Sequence, residues 1–233
     1  MKMEDSRVSS ALHDLPRAAP PDGLTAALAR VTETAQHLFE ADGAGIMLID
    51  DDEALTYVQS DDEGARRLES AQREAGQGPC VDCLVLDRTV ETSDVQHDER
   101  WPPLGPMLQG SGVGAVLGVP IRIGGGAVGS LNVYRGVVGP WDDSEVAAIR
   151  SFAGVVEDLI GSALLARSKE ALAEQLQHAL DHRKVIERAI GFVMARDALD
   201  AVTAFDQLRR TARAERRKVL DVATELLDAA GGR

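Results

Sequence analysis

The chain has 233 residues, 44% hydrophobic and 27% charged, a balance that fits a folded protein of one large or two ordinary domains and excludes a disordered one. Its longest apolar runs, such as Ala115-Val116-Leu117-Gly118-Val119, are far too short to span a bilayer, and Met1-Lys2-Met3-Glu4-Asp5 lacks the apolar core of a secretory signal, so a cytoplasmic location is expected. The net charge of −13 argues against a nucleic-acid partner only on average: residues 180–233 hold eleven Lys and Arg against nine Asp and Glu, a net +2 that leaves −15 for residues 1–179.

Residues 1–23, ending in Ala18-Ala19-Pro20-Pro21-Asp22-Gly23, read as a loose, flexible arm. An amphipathic helix follows, with Leu24, Leu28, Val31, Ala35, Leu38 and Phe39 on one face. Strands are expected at Gly45–Ile49 and Ala54–Gln59, joined through Asp50-Asp51-Asp52. A polar helix over Gly64–Glu74 is broken by Gly76-Gln77-Gly78-Pro79, a short helix carries Cys80–Asp87, and Thr89–Val95 reads as a strand. Gly114–Ile123 and Ala127–Arg135, separated by Gly124-Gly125-Gly126, form a hairpin of an antiparallel sheet.

Trp141-Asp142-Asp143-Ser144-Glu145 starts a helix whose signal runs with little interruption to Arg196. Within it Leu165, Leu172, Ala179 and Ile186 recur every seven residues, with Lys169, Leu176, Arg183 and Ile190 four positions on. This seam predicts a short coiled coil and hence a homodimer, against the alternative of one helix packing on its own domain. Two further amphipathic helices are expected at Ala201–Ala214 and Arg217–Ala229. The fold class is therefore α+β: a sheet domain over 24–164, a helical linker over 165–179, and a small three-helix domain over 180–233.

Cations concentrate in the tail. Arg209, Arg210, Arg213, Arg216, Arg217 and Lys218 fall within ten residues, opposed only by Glu215. Arg209 and Arg213 share a helix face, and guanidinium forks suit phosphate oxygens. Arg183 and Arg188 add charge on the preceding helix.

Three spaced motifs frame these cations: Leu180-x-x-Arg183-x-x-Ile186-Glu187-x-Ala189-x-Gly191-x-x-Met194-x-Arg196, Ala204-Phe205-x-x-Leu208-Arg209-Arg210-x-Ala212, and Arg217-Lys218-x-x-Asp221-Val222-Ala223. Together they resemble the ANTAR family, three-helix RNA-binding modules of transcription antitermination regulators. The resemblance implies that Ala189, Gly191, Arg209, Arg210, Arg217 and Lys218 lie on the RNA-facing surface, the small residues allowing close approach. Ile190 stands where many members have lysine, which means either a lost phosphate contact or a core position, and Arg216 stands where asparagine is common.

The front half, from Leu24 to Leu164, resembles a GAF domain through Gly118-Val119-Pro120-Ile121, Gly129-Ser130-Leu131-Asn132-Val133-Tyr134, Asp94-x-x-x-Asp98-x-Arg100-Trp101-Pro102 and Trp141-x-x-x-Glu145. This implies an antiparallel sheet flanked by helices around a cavity for an unknown small-molecule ligand; no cofactor is firmly implied.

Other candidates are weaker. Cys80-x-x-Cys83 is a candidate redox pair, although two cysteines cannot make a four-cysteine metal site and two ordinary thiols are the default. His97 has no second ligand at useful spacing. Gly110-x-Gly112-x-Gly114 leads into a strand without a following Lys-Ser/Thr, so it reads as turn glycines. Asp50-Asp51-Asp52 and Asp61-Asp62-Glu63 lack calcium-loop spacing. No catalytic constellation, nucleotide loop or zinc helix is present in the sequence, so a non-enzymatic regulator is expected. The expected function is signal-responsive antitermination, with the front sensing a ligand or redox state and the tail binding hairpin loops of nascent transcripts, in the context of RNA polymerase. The rivals are a ligand-binding module whose tail docks a partner protein, and a DNA-binding regulator.

Overall fold

In the computed structural model, residues 5–16, 23–49, 55–59, 63–165 and 171–231 are described. The sheet is built from β1 (Gly43–Ile49), β2 (Leu55–Gln59), β3 (Val90–Thr92), β4 (Ala115–Ile123) and β5 (Gly126–Arg135), in the order β2-β1-β5-β4-β3 with every neighbour antiparallel. The glycine turn of the expected hairpin is real. Ile123 pairs with Gly126, and Gly124 and Gly125 both have positive φ (64° and 92°), the backbone that a two-residue turn between twisted strands demands. β3 is shorter than the expected Thr89–Val95 because Asp94 N–H turns back to Thr92 Oγ1 at 3.3 Å and Gln96 N–H to Asp94 Oδ1 at 3.1 Å.

Strand alternation sends Leu131 and Val133 of β5 to one face of the sheet and Ser130, Asn132 and Tyr134 to the other. The first face packs on α2 (Leu24–Leu38) and α6 (Asp143–Leu165), where Leu28, Val31, Phe39, Ile149, Phe152 and Val156 make the main core and the rings of Phe39 and Phe152 meet edge to face at 5.9 Å. The second face is covered by α3 (Glu63–Ala75), α4 (Pro79–Leu86) and α5 (Leu104–Leu108).

The N-terminal arm is a correction. Residues Asp5–His13 form α1, and Leu15 beyond it is buried with Val8, Ala11 and Leu12 against the main core. A nine-residue polar helix has little stability alone, so its signal is invisible locally and its order comes from docking.

The start of α6 is tied on both sides. Asp142 Oδ1 accepts from the N–H groups of Ser144 and Glu145, each at 2.9 Å, while Glu145 returns a carboxylate oxygen to Asp142 N–H at 2.9 Å, a reciprocal cap. Glu145 also pairs with Arg135 of β5, whose guanidinium lies 4.1 Å from the Trp141 ring centroid. Glu145→Ala is expected to destabilise the chain by about 1–3 kcal/mol, since it removes a cap and leaves the partly buried Arg135 without a carboxylate, with only the Phe39 carbonyl among the described residues to accept from it. A lowered urea midpoint against Asp143→Ala checks this, and equal midpoints would contradict it.

The long helix is described as α6 and α7 (Ala171–Asp197); residues 166–170, including Lys169 of the expected seam, lie outside the described residues. α8 (Ala201–Glu215) begins with Asp200, whose Oδ1 accepts from Thr203 N–H at 2.9 Å, and α9 (Val219–Gly231) completes three helices. No helix among the described residues is long and apolar enough to cross a membrane.

Candidate nucleic-acid interface

The tail helices pack through Ile186, Ala189 and Val193 of α7, Ala204, Phe205, Leu208 and Ala212 of α8, and Val219, Val222 and Ala223 of α9. The same apolar cluster continues into Met47 of β1, Cys80, Val81 and Leu84 of α4, and Ala127 of β5. The three helices are therefore seated on the second face of the sheet domain, and their RNA-type surface has to be located around that seat.

Six of the ten residues expected to face RNA are exposed and on the tail's outside: Arg188 and Gly191 on α7, Arg210 on α8, and Arg216, Arg217 and Lys218 at the α8–α9 junction. Arg216 caps α8 with φ 54°, a left-handed backbone that turns the chain and gathers the junction cations. Local carboxylates partly offset two of these charges: Arg210 pairs with Asp206 at 2.8 Å, and Arg217 with Glu215 at 2.8 Å and Glu225 at 2.7 Å. Arg213 is exposed but engaged, donating to the carbonyl of Arg73 at 2.8 Å.

Three residues depart from the expectation. Ala189 is fully buried, so its small size serves helix packing and not approach of a nucleic acid. Arg209 is 9% exposed and donates to the carbonyl of Gly76 at 3.3 Å. Burial, with Arg213 nearby, lowers its pKa to about 10. Arg183 is half-buried against Glu187 (2.5 Å) and the strand start at Gly126, with Nη1 buried and without a partner among the described residues. Ile190 lies partly buried against the tail core, a core position.

The dimer seam is only partly placed. Leu165 is 87% exposed, the side chains of Leu172, Leu176 and Ala179 lie outside the described residues, and Ile186 is buried in the chain's own core. Ile186 is thus unavailable to a partner helix in this arrangement. It falls on the inner stripe of α7, and a heptad count cannot distinguish an intramolecular stripe from an intermolecular one.

Beneath the docked tail lies a small cavity between β1, β5 and α3, of about 10 Å³, room for one water. Its wall includes Glu69, Gln72, Cys80 and Asn132. Asn132 Oδ1 is buried without a hydrogen-bond partner among the described residues, while its amide donates to Ser130 Oγ at 2.9 Å. Gln72 clasps the start of α4: its Oε1 accepts from Cys80 N–H at 2.8 Å and its Nε2 reaches Cys80 Sγ at 3.1 Å. Gly78 makes this possible, because a Cβ there would lie 2.4 Å from the Gln72 side chain. A second space outside it, between Met47, Gln72, Val81, Leu84, Phe205 and Arg209, shares Met47 and Gln72 with the first. Neither Gln72 nor Asn132 is flagged by the sequence as a site residue; a polar residue on the inner face of a strand, as at Ser130 and Asn132, is the one available signal.

Cys80 and Cys83 are free and buried, and burial pushes the Cys80 thiol up to about 12 and Cys83 well above its usual value. Both stay protonated near neutrality and are poor nucleophiles in this state. Labelling of the native chain by a maleimide is expected to be slower than that of the urea-unfolded chain by at least about 100-fold, since labelling waits on opening. Equal rates would contradict the burial. His97, 82% exposed, pairs with Asp94 at 2.8 Å, and no group of three metal-type ligands occurs among the described residues.

A five-stranded antiparallel sheet with a small cavity on one face, carrying a three-helix unit with a cationic junction, defines a cavity-bearing α+β domain joined to a small all-helical domain. Residues 23–160 match the model of the GAF domain and residues 174–227 that of the ANTAR domain. The chain belongs to the GAF family and carries an ANTAR domain after the sensor. No curated protein matches the chain. Among solved structures it is similar to the GAF domain of a phosphoenolpyruvate-protein phosphotransferase from Coxiella burnetii, at 20% identity and TM-score 0.53 over 70% of this chain and 95% of that one. The GAF domain of the Acinetobacter phosphoenolpyruvate-protein phosphotransferase matches at 12% identity and TM-score 0.52 over 69% and 94%. A GAF domain from Synechocystis sp. PCC6803 in its photoproduct state matches at 18% identity and TM-score 0.50 over 64% and 100%. At these identities the likeness establishes the α+β fold alone and carries no ligand.

Proposed function

We propose that the chain is a signal-responsive antitermination regulator, in which the sheet domain takes up a small ligand and the tail binds hairpin RNA. Regulatory sensing and RNA binding are traits of the two families it belongs to. The observation that carries the RNA reading is the exposed cationic junction of Arg216, Arg217 and Lys218 beside Arg210, on a chain that is otherwise strongly acidic. Loops of hairpin RNA present phosphates at a bend, which a compact cluster meets better than it meets a straight duplex. Phe205, the one aromatic residue of α8, is buried in the core, so stacking of single strands has no platform on that helix.

The test is binding of the purified chain to a paired-hairpin leader RNA, to the same sequence scrambled, and to duplex DNA, across a salt series. Hairpin preference with a steep salt slope supports the reading. Preference for duplex DNA would replace it with a DNA-binding regulator. Absence of any nucleic-acid binding, even after the tail has been released, would favour a tail that docks a partner protein.

A further inference from the structure

The charge that the tail spends on the sensor is the least economical feature of the fold. Arg209 is desolvated against the sensor, where the Gly76 carbonyl accepts from it, and Arg183 is half-buried with an Nη1 that meets no partner among the described residues. Desolvating a guanidinium costs stability, which a single carbonyl returns only in part to Arg209 and which the unmatched Nη1 of Arg183 does not recover, so their burial calls for a reason other than stability. Both face the sensor: Arg183 lies over Gly126, where an added Cβ would come within 3.0 Å of its Nε, and Arg209 sits over Met47, Val81 and Leu84.

The sensor partner is itself informative. The carbonyls of Arg73 and Gly76, which take Arg213 and Arg209, belong to the last turn of α3 and the residue after it. A helix C-terminus carries unpaired carbonyls and a partial negative charge. It offers these two arginines what phosphate oxygens would offer them. Gly76, with φ 73°, brings the backbone so near that a Cβ would lie 2.8 Å from Asp206 Oδ1 of α8.

We propose that this docked arrangement is an autoinhibited state, in which the C-terminal end of α3 occupies the Arg209–Arg213 edge of α8 in place of RNA phosphates, and that Gln72 couples its release to the cavity. The proposal rests on the RNA reading of the tail for what is inhibited, though not for the docking. Gln72 lines both the cavity and the space under Arg209, four residues before Gly76. A cavity with room for one water takes a larger ligand only by moving its wall, and Gln72, with Met47, is the wall shared with the space under the tail. The −15 net charge of residues 1–179 adds to the block, because docking sets an acidic body beside the cationic face.

The full-length chain tests this with substitutions on the sensor alone. Leu84→Asp places a charge against Phe205. Gly126→Val, at a strand position with no positive φ, wedges Arg183 away without loading the sensor's own core. Gln72→Ala cuts the shared wall. Hairpin RNA affinity and the solution scattering radius are measured for each. Expected is an increase in radius and at least about a tenfold gain in RNA affinity for Leu84→Asp and Gly126→Val, with a smaller gain of both for Gln72→Ala. A wild-type chain already as extended as the variants, or variants that keep the wild-type radius, would overturn the inference. So would wider variants that bind RNA no better than a wild type that itself binds. Unchanged radius and affinity for Gln72→Ala alone would overturn the coupling through the cavity. Variants that extend while neither they nor the wild type bind any RNA would support the docking as a releasable clamp and defeat the RNA reading instead.

Discussion

Gly129→Ala is expected to unfold the sensor domain or to cost it about 3 kcal/mol or more, the upper range of overpacking. Gly129 stands on β5, the central strand of the sheet, paired to Leu48 of β1 and Ile121 of β4. A Cβ at that position would lie 2.1 Å from the carbonyl oxygen of Met47 and 3.0 Å from Leu48 Cα. Both are backbone atoms of a paired strand, so the clash is relieved only by spreading β1 from β5. Spreading would break the ladder and tear Met47 and Ala127 from the apolar cluster on which the tail sits. Gly139→Ala is the control: nothing lies within 4 Å of its added Cβ, and a change within about 0.5 kcal/mol is expected. Urea unfolding of the two variants beside the parent checks the difference; equal midpoints would show that the strand pair yields more than its geometry allows.

That glycine also shows how far the sequence could be read. Gly129-Ser130-Leu131-Asn132 is legible as part of a strand because apolar residues alternate with small polar ones, and the hairpin is legible because Gly124-Gly125 supplies the positive φ its turn requires. The three tail helices follow from apolar spacing, with Asp200 and Arg216 at the ends of α8. What fails to show is whatever depends on distant parts meeting. α1 carries too weak an apolar stripe to announce itself and is ordered by the core it docks on. Ile186 and Ala189 lie on a face of α7 whose partner is the chain's own body, so one read as a dimer seam and the other as an RNA surface. Arg209 looks identical to Arg210 in sequence; only the fold separates a buried guanidinium held by Gly76 from an exposed one beside Asp206. The cavity is hidden likewise, since Gln72 and Asn132 come from a helix and a strand sixty residues apart.

Replacing the junction cations together, as Arg216→Gln, Arg217→Gln and Lys218→Gln, is expected to flatten the salt dependence of RNA binding by about 2 in the log–log slope, because each lost phosphate contact removes about 0.7–0.9. Affinity at moderate salt is expected to fall by at least about tenfold, as three cations leave a surface whose binding is mainly electrostatic. These three residues are chosen because they are exposed while the tail is docked, whereas Arg209 is buried and Arg213 is held by the sensor. The effect is therefore expected both in the parent chain and in the Leu84→Asp background. Arg217 already faces Glu215 and Glu225, so part of its charge is offset locally and its single replacement should matter least of the three. Glutamine keeps the length and helix propensity of the side chains, and unchanged circular dichroism would separate lost charge from lost fold. A triple variant with the parent's slope in both backgrounds would move the RNA contact away from the α8–α9 junction. The exposed face of α7 around Arg188 and Gly191 would be the remaining place for it.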